Sequence, residues 1–278
     1  RDDPWRSGGE CRRNGQWQQH PVCAAVRNAR KLLDAGIPRE YILEAEATRP
    51  NTLEGCCEGI DIVISALGIT RQKDGLTYMD VDYQANKNIL DEALRSGVQK
   101  FIYVSVLNGQ HLTHLQICAA KERFVQALQG ADLEYCIIRP GGFFSDMGEF
   151  FEMAKSGRIY LFGDGTTISN PIDGSDLAKV CVDAIQRTAT TVEVGGPELL
   201  TQNEIAEIAF AAAGKPVKVT RIPDWVRRIL LRLAPIFLSK SAYGPAEFFL
   251  HVLAMDMKAP TRGQRTLRQY FEHLASKD

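Results

Sequence analysis

The chain has no C-x-x-C pair, no apolar run of about 18 residues and almost no net charge. Each absence removes a class of function. Without paired cysteines, the seven present (Cys11, Cys23, Cys56, Cys57, Cys118, Cys136, Cys181) read as buried reduced thiols, and no metal site is expected. Without a long apolar run there is no spanning helix; Ile229 to Leu238 is the nearest candidate, and it is short and interrupted by Arg232 and Pro235. A net charge of -1 gives no overall electrostatic case for nucleic acid or an anionic membrane. Internal repeats and low-complexity segments are also missing. The chain opens on Arg1 rather than Met, so a preceding or processed segment is expected, and any targeting peptide would be out of sight.

The 278 residues, 45% of them hydrophobic, suit one large α/β domain with an appendage. From Pro21 onward short apolar strands alternate with helical patterns. Strands are expected at Val22 to Val26, from Tyr41, at Ile60 to Leu67, Phe101 to Val106 and Leu133 to Ile138. Helices are expected around Ala29 to Ala35, Asp80 to Ser96 and Gln116 to Leu128. The run Ile60-Asp-Ile-Val-Ile-Ser-Ala-Leu67 is nearly continuous in apolar residues, as a strand covered on both faces requires. Such repeated β-α units indicate a Rossmann-like, doubly wound parallel sheet, followed by a smaller, mostly helical region. Asp173 or Ser175 should cap one later helix, and Thr201-Gln-Asn-Glu204 reads as a capping box opening another. The division expected is an atypical, disordered segment over 1–20, a dinucleotide-type domain over 21–190, and a substrate or lid region over 191–278.

The most informative stretch is Asp132-Leu-Glu-Tyr-Cys-Ile-Ile-Arg-Pro-Gly-Gly-Phe-Phe144, a strand that empties into a proline and two glycines. Such a turn brings bare backbone to the mouth of a sheet, where α/β proteins hold their ligands. Together with Val26-Arg27-Asn28, Ala66-Leu67-Gly68, Val81-Asp-Tyr83, Lys121 and Asn170-Pro-Ile-Asp173, it resembles the atypical short-chain dehydrogenase/reductases, in their NmrA-like, NAD(P)-binding branch. The resemblance implies NADP(H), with NAD(H) also admitted, and a small-molecule substrate. It places Arg27, Asn28 and Lys31 at the adenosine ribose. Ala66, Leu67, Gly68, Pro140, Gly141, Gly142 and Phe143 would lie along the cofactor. Lys121 matches the lysine of the family's Tyr-x-x-x-Lys pair, as a cofactor-binding and catalytic group, and Ser105 sits near the usual serine.

Two departures follow. The tyrosine position is Ile117, which has no proton to give. The glycine turn that should hold the pyrophosphate after a first strand is missing, for Gly8, Gly9 and Gly15 lack its spacing and Arg12 to Gln16 is too polar for a central strand. An unrelated or misread segment therefore stands where the first β-α unit belongs, and strands two and four are expected to pair directly across the gap. Three readings stay open: an NAD(P)H-dependent oxidoreductase acting on a hydrophobic substrate, a non-catalytic NADP(H)-binding sensor or assembly factor with a protein partner, and an enzyme similar to divinyl chlorophyllide 8-vinyl reductases. The compartment is open too, cytoplasm or an organelle such as the chloroplast.

Overall fold

The computed structural model describes residues 10–13, 16–19, 22–69 and 75–277. A four-stranded parallel sheet forms its centre, in the order β10-β7-β6-β5: β5 is Ile62–Ser65, β6 Lys100–Val104, β7 Glu134–Pro140 and β10 Thr191–Val194. Helices cover both faces, which is why β6 has no exposed residue. Phe101 and Tyr103 point to one face, against Leu90 and Ala93 of α2 (Asn86–Arg95) and Phe124, Val125 and Leu128 of α3 (Gln116–Gln129). Ile102 and Val104 point to the other, against Leu177, Val180 and Cys181 of α5 (Gly174–Asp183). The period of two along the strand thus feeds two separate cores.

Two further strands, β3 (Ala24–Val26) and β4 (Ile42–Glu44), pair with each other in parallel, with α1 (Arg30–Asp34) between them, but join no other strand among the described residues. The expected direct pairing of strands two and four is therefore not found. Each keeps one ladder partner and leaves its other edge unpaired among the described residues, as loss of an interior first strand would require. The apolar cost shows at Ile64 of β5, which is 41% exposed, whereas its register partner Ile102 on β6 is fully buried.

The disorder expected over 1–20 also needs correction where the structure describes that segment. β1 (Glu10–Arg13) and β2 (Gln16–Gln19) form an antiparallel ladder pairing Arg13 with Gln16 and Glu10 with Gln19. Alternating polar residues suit such a hairpin far better than a central parallel strand. The rest of that expectation lies outside the described residues.

A second core gathers α4 (Phe144–Lys155), β8 (Ile159–Phe162), α6 (Gln202–Ala212) and α9 (Leu267–Ala275) around Phe150, Phe151, Ile205, Phe210 and Phe271. The boundary expected at 190 cuts across this arrangement, since β10 stands in the main sheet while α4 and β8 belong to the second core. Local signals placed its elements well. Asp173 caps α5 by accepting from the Ser175 amide at 2.9 Å. Thr201 and Glu204 close a reciprocal box at the start of α6, which begins directly after the short β11 (Leu200–Thr201) paired with β9 (Ile168–Ser169). β12 (Val219–Ile222) pairs in parallel with β8 and leads into α7 (Asp224–Phe237), which packs on α8 (Lys240–Val252).

Candidate functional site

The carboxyl ends of β5, β6 and β7 carry the residues expected to do chemistry. After Ser65 the chain runs through Ala66, Leu67 and Gly68 as an extended loop, with Ala66 and Gly68 exposed. This loop is held from beneath. Asn86 donates from Nδ2 to the Leu67 carbonyl at 3.2 Å and accepts from the Ser65 hydroxyl at 2.5 Å. Asp82 accepts from the Ile69 amide at 3.2 Å. Asp82 and Asn86 stand four residues apart where a wide π-type turn, Met79–Ala85, runs into α2. That turn frees the carbonyls of Val81 and Asp82, to which Asn86 also donates. Backbone fixed on one side and open on the other is what a ligand at a sheet mouth needs.

Lys121 lies directly under Gly68. Its ammonium is 3.0 Å from Asp82 Oδ1, and a Cβ on Gly68 would come within 2.6 Å of that carboxylate and 3.0 Å of the ammonium. Glycine is therefore demanded here by close approach rather than by a turn. Burial pushes the Asp82 carboxyl above its ordinary range, although Lys121 pulls it the other way. For Lys121, burial opposes the charge, but the Tyr103 oxygen and the Asp82 carboxylate outweigh it and raise the ammonium above the usual lysine range. These neighbours favour the cationic form of the lysine, which can donate to a hydroxyl. Tyr103, whose ring centroid is 5.5 Å from that ammonium, is fully buried and pushed up to about 12 by burial.

The other expected catalytic group is turned to a different task. Ser105 is buried and donates to Glu122 Oε1 at 3.4 Å. Glu122 in turn grips Arg139 through two bonds of 2.5 and 2.9 Å, and Arg139 also donates to the Val106 carbonyl at 3.1 Å. This buried pair ties α3 to β7. Ile117, at the family's tyrosine position, is buried, so no hydroxyl replaces it there. His111 and His114 are exposed and Cys118 is buried.

The Pro140 to Phe143 turn is less open than its glycines suggest. Pro140 and Gly141 are buried, and a Cβ on Gly141 would meet the Met257 carbonyl at 3.3 Å. The segment around Met257 and Ala259 thus covers this part of the mouth with Leu107. Gly142, with φ of 140°, and Phe143 are half-buried. Phe144, with Met147 against it, belongs to the second core, and Phe143 packs on the sheet core; neither phenylalanine forms a free pocket wall. Trp225 and the apolar residues of α7 face solvent rather than the mouth. A cavity of about 530 Å³ beside α9 is lined by Asp173, Gln264, Arg265, Gln269, Tyr270 and His273, none of them expected at a cofactor.

At the adenosine end, Arg27 follows β3 with its side chain 62% exposed, and its Nε lies 4.0 Å from Glu46 Oε2. Asn28 accepts from the Arg30 amide at 2.9 Å and so opens α1, while Lys31 is exposed on that helix. Glu46, just beyond β4, escaped notice in the sequence because nineteen positions separate it from Arg27. Asn86 and Glu122 escaped it for the same reason: their partners lie on other elements.

These residues fit a dinucleotide at its two ends and not at its middle. Open backbone over a captive cation would suit the nicotinamide-ribose side, and a guanidinium would suit the adenosine side. Among the described residues no glycine turn opens a helix between them, where a pyrophosphate would sit. The family profile described as NAD(P)H-binding matches residues 10–188, more than half of the chain. The chain belongs to this NAD(P)H-binding family. The match begins inside the segment expected to be foreign. Among curated relatives, the chloroplastic divinyl chlorophyllide a 8-vinyl-reductase of Arabidopsis thaliana is 28% identical over 82% of this chain and 62% of its own length. The photosystem II assembly factor Ycf39 of Synechocystis is 24% identical over 94% of the chain and 86% of its own. The chain therefore spans less than two thirds of the reductase but most of the assembly factor. Solved structures give the same fold. The Citrobacter triphenylmethane reductase complexed with NADP(H) superposes with a TM-score of 0.67 at 15% identity, covering 91% of this chain and 90% of that one. The Escherichia coli NADPH-dependent quinone oxidoreductase gives 0.64 at 16%, with coverage of 91% and 90%.

Proposed function

We propose that this chain is an NADP(H)-dependent oxidoreductase of the atypical short-chain type that reduces a conjugated apolar molecule without a side-chain acid. The observation that carries this reading is the mouth itself: Gly68 backbone lies open over a lysine neutralised by Asp82, and the tyrosine beside that lysine, Tyr103, is fully buried. When bound, the reduced cofactor supplies a hydride. Lys121 would hold the nicotinamide ribose through an ammonium proton, and the Ala66 to Gly68 backbone would line the same end. Arg27 would exchange Glu46 for a 2′-phosphate, a stronger, bidentate partner. A conjugated acceptor can delocalise the electron pair it receives and take its proton from water, so the missing tyrosine is no obstacle. The quinone, the triphenylmethane dye and the vinyl chlorophyllide in the relatives' names share that chemistry.

A second reading, a non-catalytic NADP(H)-binding assembly factor with a protein partner, is favoured by the absent pyrophosphate turn and by the near full-length likeness to Ycf39. Calorimetric titration with NADPH and NADH, followed by absorbance at the nicotinamide band with a quinone or a triphenylmethane dye, separates the two. The oxidoreductase reading expects tighter NADPH binding and turnover. Arg27→Ala should narrow the NADPH preference by roughly tenfold to a hundredfold, as loss of a charged hydrogen bond does, and Glu46→Gln should widen it. Binding without turnover on any conjugated acceptor selects the assembly factor; no heat from either coenzyme removes both.

A further inference from the structure

Helix α7 is built inside out. Its inward face carries Arg227, which is buried and donates to Asp224 Oδ1 at 2.6 Å and to the Leu250 carbonyl at 3.0 Å, together with Ala234. Its outward face carries Trp225, Ile229, Leu233, Ile236 and Phe237, exposed by between 41 and 77%. At about 100° per residue, Trp225, Ile236 and Ile229 fall within one narrow stripe, Leu233 and Phe237 continue it on one side, and Arg228 and Arg232 border it on the other. A helix meant for water reverses this order. The charge along this stretch is equally uneven: from Lys215 to Arg232 five exposed basic residues (Lys215, Lys218, Arg221, Arg228, Arg232) and the buried Arg227 stand against one acid, Asp224, in a chain whose net charge is -1. That acid is already engaged by Arg227 and Arg228.

We propose that α7 is an interfacial helix, lying in the headgroup layer of an anionic lipid bilayer with Trp225, Ile229, Ile236 and Phe237 sunk toward the acyl chains. A tryptophan at one end, a phenylalanine at the other and arginines along the edge make up the composition that such helices use. The basic border argues for lipid phosphates, because Arg228 and Arg232 lie along the edge of the apolar stripe, where headgroup phosphates would meet them. It argues against closure over the chain's own mouth too, since the apolar side chains point away from the body that Arg227 and Ala234 face. The near-neutral total charge conceals this patch, because the remainder of the chain is acidic by a similar amount. The inference does not depend on the cofactor reading.

Sedimentation of the full chain with phosphatidylcholine–phosphatidylglycerol vesicles, and with phosphatidylcholine alone, tests it without any cofactor. Binding is expected on the anionic vesicles and should weaken as salt rises. Each arginine removed in Arg228→Gln and Arg232→Gln should weaken it by roughly fivefold, the effect of one basic residue near an anionic surface. The double variant Ile236→Glu with Phe237→Glu should abolish it while the thermal melt stays in place, because both side chains are exposed. A chain that stays in the supernatant with anionic vesicles overturns the proposal. So does binding that the double variant leaves unchanged, or a solution dimer that Phe237→Glu dissociates in a chain that binds no vesicle.

Discussion

The two parallel sheets, β5 to β10 and β3–β4, follow the same rules and reach different ends. On the β5 to β10 side, strands of four to seven residues lie between helices, and buried charged groups have partners, Glu122 in Arg139, Asp82 in Lys121 and Lys100 in the carbonyls of Ile185 and Arg187. On the β3–β4 side, three-residue strands form a single ladder with no buried side chain in β3 and one, Ile42, in β4. The difference shows how much a parallel strand depends on having two neighbours and a helix on each face. On the proposed reading it would also divide the ligand mouth, with the nicotinamide end on the firm side and the adenosine end on the weak one.

The comparison can be broken most forcefully at its ion pairs. Glu122→Ala strands Arg139 in the interior and should cost about 3–5 kcal/mol in urea unfolding. Glu44→Ala removes the exposed partner of Arg39, 3.0 Å away on the weak half, and should cost no more than about 1 kcal/mol. Equal losses would erase the distinction. The register partners Ile102 and Ile64 sharpen it with chemistry held constant: Ile102→Ala should cost about 2–5 kcal/mol, and Ile64→Ala under about 1.5. A native-state hydrogen-exchange map should show β3 and β4 amides opening well before those of β6 and β7.

The smallest effect is set by acid. Burial works against the Asp176 carboxylate, but the Arg265 amide, Lys179 and the Gln264 amide outweigh it and hold its pKa below the usual 3.8. Its folded value is thus lower than its unfolded one. The stability it adds is present above the unfolded pKa and is lost as pH falls through the folded one. Asp176→Ala should therefore flatten the acid limb of a urea-midpoint-against-pH curve. A limb as steep as the wild type's would show that this carboxylate does not anchor the segment before α9.

Much of the firm half was legible because its signals are local. The apolar run at Ile60 to Leu67, the cap at Asp173 and the box at Thr201 each declare themselves within a few residues. Gly68 and Lys121 were legible through family resemblance, as separate points; that they meet over Asp82 depends on three elements packing together. Asn86 looked like an ordinary helix residue, and only its position beneath the 66–69 loop makes it a support. The direct pairing expected of strands two and four is not found among the described residues, because the three-residue β3 has too little apolar area to draw β5 to it. Total charge said nothing of α7, since an average cannot register where the cations lie.

The edge of β5, which has no strand partner among the described residues, has one more consequence, for anyone handling the protein. An unpaired edge with apolar Ile64 beside it is a template for strands from neighbouring molecules. Shelf life in concentrated solution should then be governed by edge-to-edge association at that border and not by the melting of the rest, so a chain that unfolds at a respectable temperature can still precipitate overnight.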